Sequence, residues 1–170
     1  MTARRILSVL GTLALLAVSA CDSGDAVDPP SPADVAGTYD IEALRFVPTS
    51  TALTPVSVLD TLVTSESFVR ILDGGQATLE FRRTGGTARF VPGEVEVRSR
   101  QVRLTFASGN EAVLGRLVLP QTLTFDRDGD DLDLSTDLTA NLESYDAVRY
   151  GGFTAVPGEL TVRLALRADG

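Results

Sequence analysis

From Val35 onward, apolar and polar residues alternate at every second position, the period of strands with one dry face and one wet face. Four stretches carry the pattern most clearly. Ala77, Leu79 and Phe81 alternate with Thr78, Glu80 and Arg82; Val95 and Val97 alternate with Glu94, Glu96 and Arg98; Val102, Leu104 and Phe106 follow; and Leu160, Val162, Leu164 and Leu166 alternate with Glu159, Thr161, Arg163 and Ala165. Weaker strands are expected at 37–46, 68–72, 87–91, 113–119, 122–125 and 132–134. Between them Gly74-Gly75, Gly85-Gly86, Pro92-Gly93, Ser108-Gly109-Asn110, Asp128-Gly129 and Pro157-Gly158 mark turns, because glycine supplies positive φ and proline a fixed φ. Roughly 8 to 10 successive strands are too many for an open sheet in a domain of this length. The expectation is an all-β antiparallel meander that closes into a barrel or folds into a sandwich.

Two segments break the alternation. Residues 47–67 carry Pro48, Pro55 and a run of Ser and Thr, and are expected to form a long loop with one short element. In 141–153, Tyr145, Val148 and Tyr150 precede Gly151-Gly152, which predicts a short helix near 144–151. Tyr145, Tyr150 and Phe153 gather here. They either plug one end of the barrel or form a rim over a cavity, in which case they are candidate ligand-binding residues.

Before Val35 the chain changes character twice. Arg4 and Arg5 precede an apolar run from Ile6 to Val18, which closes on Val18-Ser19-Ala20-Cys21. A spanning helix needs roughly 20 apolar residues. This shorter run, ending in small residues, has the form of a cleaved export signal. Its end resembles the lipobox of bacterial lipoproteins, which implies cleavage before Cys21, a diacylglycerol thioether on its sulfur and acylation of its new amine. Several acyl chains hold firmly where one holds marginally. The following stretch to Ala33 is acidic and proline-rich with almost nothing apolar, so it is expected to be a disordered tether reaching about 20–40 Å. The resulting organisation is a signal peptide at 1–20, a lipidated cysteine and tether at 21–33, and a β-domain at 34–170. Asp22 resembles an inner-membrane retention signal of some bacteria, and acidic stretches here resemble surface-export signals of others. The sequence is therefore compatible with either leaflet of the envelope.

Charge narrows the partners. Loss of residues 1–20 removes two of the 15 basic residues and none of the 23 acids, taking the formal charge from −8 to −10. Nucleic acid, which rewards clustered basic residues, is not expected as a partner. Anionic headgroups repel such a surface, which leaves the lipid as the membrane attachment. The single cysteine rules out an intrachain disulfide framework.

The chemistry available is thin. The chain contains no His and no Lys, so a serine nucleophile has no customary base, and the one Cys is assigned to lipid. Paired carboxylates would need inward-facing acids, for which Glu42, Glu80 and Asp60 are the candidates. No enzymatic activity and no cofactor are expected. The densest oxygen cluster, 126–137, places Asp126, Asp128 and Asp130 at the first, third and fifth positions of a calcium loop. Asp131 stands where that loop needs glycine, and Asp137 where it needs a bidentate glutamate, so a hairpin tip is the expected structure.

The opening of the domain, Asp34-Val35-Ala36-Gly37-Thr38-Tyr39-Asp40-Ile41, resembles lipocalin-like domains, in which a Gly-x-Trp motif enters the first strand; Tyr39 stands at the tryptophan position. The resemblance implies a barrel of about eight strands that holds a small apolar ligand. It also implies an arginine of the last strand, here Arg163 or Arg167, stacked over the Tyr39 ring. Two functional readings follow. In one, an anchored envelope lipoprotein carries a small hydrophobic ligand in a hollow barrel, with Tyr145, Tyr150 and Phe153 at the mouth. In the other, the barrel is filled and serves as a structural or interaction module that meets an envelope protein.

Overall fold

The computed structural model describes residues 29–168. The expected export segment, Cys21 and most of the tether lie outside them. Strand β1 (Gly37–Pro48) is followed by a two-residue β2 (Val56–Ser57), then by β3 (Phe68–Ile71), β4 (Gln76–Phe81), β5 (Arg89–Arg98), β6 (Gln101–Phe106), β7 (Thr122–Asp128), β8 (Asp131–Ala140) and β9 (Val156–Leu166). From β3 to β9 each strand pairs antiparallel with the next, and β1 lies between β3 and β9. The sheet therefore closes into an eight-stranded antiparallel barrel, with β2 added beside the second half of β1. This is the closed meander that the alternation predicts. Among the described residues no helix is long and apolar enough to cross a membrane.

The closing seam is long. β1 pairs with β9 from Tyr39 opposite Leu166 to Pro48 opposite Gly158, and a bulge interrupts the register between Ile41 and Ala43. Glu42 is the extra residue. Because side chains alternate across a strand, one inserted residue moves the inward set from odd to even positions. Tyr39 and Ile41 are buried before the bulge, Leu44 and Phe46 after it. For this reason β1 reads as a weak strand in sequence although it is a central one.

Three expectations are corrected. Pro92-Gly93 and Pro157-Gly158 are not turns but lie inside β5 and β9. Pro92 is exposed opposite Thr78, while Gly93 lies opposite Phe106, where an added Cβ would stand 2.8 Å from the Thr105 carbonyl oxygen. At Gly158 an added Cβ would collide with the Val47 carbonyl oxygen and the Phe46 ring. These glycines serve close approach, not positive φ. Residues 113–119 are not a strand. They hold the end of helix α1 (Glu111–Gly115) and a turn, with Leu114, Leu117 and Val118 buried at helical spacing.

The inward faces fill the barrel, and each end is plugged. At the end where β1 begins, a 3-10 turn at Pro32–Val35 folds onto the barrel, earlier than the expected tether boundary at Ala33. Val35 is buried there, and the Tyr39 hydroxyl donates to its carbonyl at 2.8 Å. At the other end α1, α2 (Leu142–Tyr145), α3 (Ala147–Tyr150) and the segment after β1 bury Val58, Leu62, Leu114, Leu117 and Leu142. Ser67 is the buried polar side chain among the described residues; its hydroxyl donates to the Val63 carbonyl at 2.9 Å and accepts from the Arg82 amide at 3.2 Å. Both of its hydrogen-bonding capacities are thus used.

Two outcomes test this account. Gly158→Ala is expected to cost about 2 kcal/mol or more in urea denaturation, because the obstacle includes backbone of the neighbouring strand, which cannot rotate away. Burial holds the Tyr39 phenol above its ordinary 10.0, opposed by Arg127 and reinforced by Asp130. A raised folded-state value means that this stabilisation is complete below pH 10.0 and is lost as pH rises through the folded value. Tyr39→Phe should therefore cost about 1 kcal/mol at neutral pH, through the lost hydrogen bond, and flatten the alkaline decline in stability.

Candidate functional site

The aromatic segment after β8 is built by two side-chain caps. Asn141 accepts from the Ser144 amide at 3.0 Å and so starts α2; Asp146 accepts from the Val148 and Arg149 amides at 3.1 and 3.0 Å and starts α3. The two short helices pack as one unit, with the Tyr145 and Tyr150 rings 6.3 Å apart at 46°. Arg83 fixes this unit to the strands: its guanidinium lies 5.1 Å above the Tyr145 ring and donates to the Tyr145 carbonyl at 3.0 Å. Burial raises the Tyr145 phenol above its ordinary value, and the Arg83 charge and a hydrogen bond with Thr61 oppose the rise. Arg149 covers Tyr150 at 5.1 Å and reaches Thr54 at 3.3 Å.

The three expected ligand-binding residues therefore separate. Tyr145 and Tyr150 are buried as part of the plug, whereas Phe153 is 44 % exposed on the surface and joins the unit through its carbonyl, which accepts from the Leu142 and Glu143 amides. The Tyr150 hydroxyl is buried without a hydrogen-bond partner. Beneath the plug, the barrel interior contains a cavity of about 20 Å³ among Ile41, Leu44, Leu79, Leu104, Phe106 and Phe125. Such a volume is on the order of one water molecule, and the wall offers that water no polar partner.

The remaining candidates all face outward. Glu80 lies between inward Leu79 and Phe81, and Glu42 and Asp60 are exposed, so no carboxylate of this set enters the barrel. The acidic cluster is a tight hairpin between β7 and β8, with Gly129 at φ 63° at its tip. Asp126 is directly opposite Asp133, and Asp128 opposite Asp131. Arg163 offsets part of this like-charge crowding, at 2.7 Å from Asp131, 3.9 Å from Asp133 and 3.3 Å from the bulge residue Glu42. Among the described residues no three His, Cys, Asp or Glu side chains converge on a metal position, Asp126, Asp128 and Asp130 included. The implied stacking on Tyr39 is also corrected. Tyr39 points inward, while Arg163 serves the acidic hairpin and Arg167 pairs with Asp40 and stacks 5.4 Å from the ring of Phe68.

One feature escaped the sequence reading. Arg83, Arg89 and Arg116 line a surface groove of about 390 Å³ beside the plugged end, together with Phe81 and Gly85-Gly86. Arg83 and Arg89 flank the hairpin between β4 and β5, and Arg116 comes from the C-terminal end of α1, in the connection between β6 and β7. Pairing of β5 with β6 brings that connection beside the hairpin.

Comparison with known proteins adds little to this geometry. No family model matches the chain, and no curated protein matches it. Among solved structures, it is similar to a crystal structure described as that of an uncharacterized protein from Bacteroides eggerthii DSM 20697, with 14% sequence identity, a TM-score of 0.37, and coverage of 78% of this chain and 99% of the other.

Proposed function

We propose that the chain is a non-catalytic lipoprotein of the bacterial cell envelope, held to a membrane by acyl chains on Cys21, whose filled barrel works through its outer surface as a structural or interaction module. The observation that carries the choice of a filled barrel is the interior volume of about 20 Å³. A pocket for a small hydrophobic ligand is on the order of 300 Å³ or larger. Entry of such a ligand would require displacement of Tyr145 and Tyr150 together with the Arg83 contacts that hold them. The anchor rests on the residues around Cys21, whose small-residue approach, single thiol and acidic follow-on fit a lipidated terminus. The tether would join the barrel through Pro32–Val35, at the end opposite α1 to α3.

Two measurements test this reading. Cys21→Ser should move the protein from the membrane to the soluble fraction with its β-rich circular dichroism spectrum unchanged; retention in the membrane would reject the lipid anchor. Titration with a fluorescent fatty acid should give no saturable signal, and saturable binding reversed by unlabelled fatty acid would restore the carrier reading.

A further inference from the structure

The groove formed by Arg83, Arg89 and Arg116 gathers positive charge on an otherwise acidic chain. The chain is strongly acidic, and Arg82, Arg98, Arg163 and Arg167 each have a carboxylate within 4.0 Å. Arg83, Arg89 and Arg116 have none among the described residues, as is also true of Arg45, Arg70, Arg100, Arg103, Arg127 and Arg149; the three are set apart by lining one groove that no Asp or Glu lines. Three like charges that share one concavity repel one another unless an anion joins them.

Geometry favours such an anion. Arg83 is held by its stack on Tyr145 and its bond to the Tyr145 carbonyl, so little of its freedom remains to be lost on binding. Arg89 and Arg116 are exposed. Gly85, at φ 75°, and Gly86 turn the chain with no side chain to obstruct the groove. Phe81, buried in the core, also borders the groove. Guanidinium forks match the oxygens of phosphate and carboxylate, and they are less strongly hydrated than an ammonium. The volume of about 390 Å³ suits a small molecule.

We propose that the groove of Arg83, Arg89 and Arg116 is a binding site for a small ligand that bears two or more oxyanion charges, phosphate or carboxylate. It is independent of any ligand inside the barrel, and it does not require the lipid anchor.

Calorimetric titration of the full chain in neutral detergent, with inorganic pyrophosphate in one arm and citrate in the other, tests the site. Saturable binding of either anion is expected with Kd of about 1 mM or tighter, weakening as salt is added. Selective binding of pyrophosphate assigns phosphate chemistry, and selective binding of citrate assigns carboxylate chemistry. Arg83→Gln would also loosen the plug, so the informative variant is Arg89→Gln with Arg116→Gln, which should weaken binding about tenfold or more. Arg103→Gln, on the outer wall in β6, should leave affinity unchanged. Failure of both anions to saturate, or equal weakening by the groove and wall variants, would overturn the proposal.

Discussion

Closure of the sheet through β9 is the constraint on which the rest of the molecule depends. β9 is hydrogen-bonded along its length to β8 on one side and β1 on the other. Without that seam β1 and β9 would be open edges, and the inward residues of all eight strands would lose their opposite wall. Closure in turn imposes local conditions. The two strands must approach closely at Phe46 and Gly158, where no larger residue fits, and they must absorb a change of register, which the bulge at Glu42 provides. The bulge has an electrostatic consequence as well, since it places Glu42 beside Arg163, which also faces the acidic hairpin.

The same closure explains what could be read from the amino acids and what could not. Alternation over 77–81, 102–106 and 160–166 marks strands because each has one face on the core, a local property. Pro92 and Gly158 misled because proline and glycine at turns and at close contacts are the same residues, and only the neighbouring strand distinguishes the two cases. Leu114, Leu117 and Val118 misled because a short apolar run serves a plug as well as a strand. The expectation that aromatics gather at 141–153 corresponds to a real unit, but its membership differs: Tyr145 and Tyr150 turn inward and Phe153 stays on the surface. The arginine groove is only partly local: Arg83 and Arg89 flank one hairpin, whereas Arg116 joins them from a different connection.

An interior packed with Phe46, Phe81, Phe106 and Phe125 has a functional implication. Fully burying a side chain of this class stabilises the fold by about 1.5–3 kcal/mol, and an apolar ligand in the same volume would have to replace those contacts. In the proposed role, a barrel committed to its own side chains would act through what its outer surface displays. The two ends display different things. Near the start of β1 are the Pro32–Val35 turn and the acidic β7–β8 hairpin; at the other end are the short helices, exposed Phe153 and Val148, and the groove.

This polarity is why the arginines matter more than their number suggests. A negatively charged domain repels anions at long range, so an anion that binds must be gained from a local field strong enough to exceed that repulsion. A lone exposed arginine supplies little such field in water. Three of them in one concavity, with Arg83 fixed over Tyr145, supply more, because their fields add. The plug that fills the barrel and the groove beside it are thus one arrangement: Arg83 closes the interior with one part of its guanidinium environment and lines the surface site with the rest.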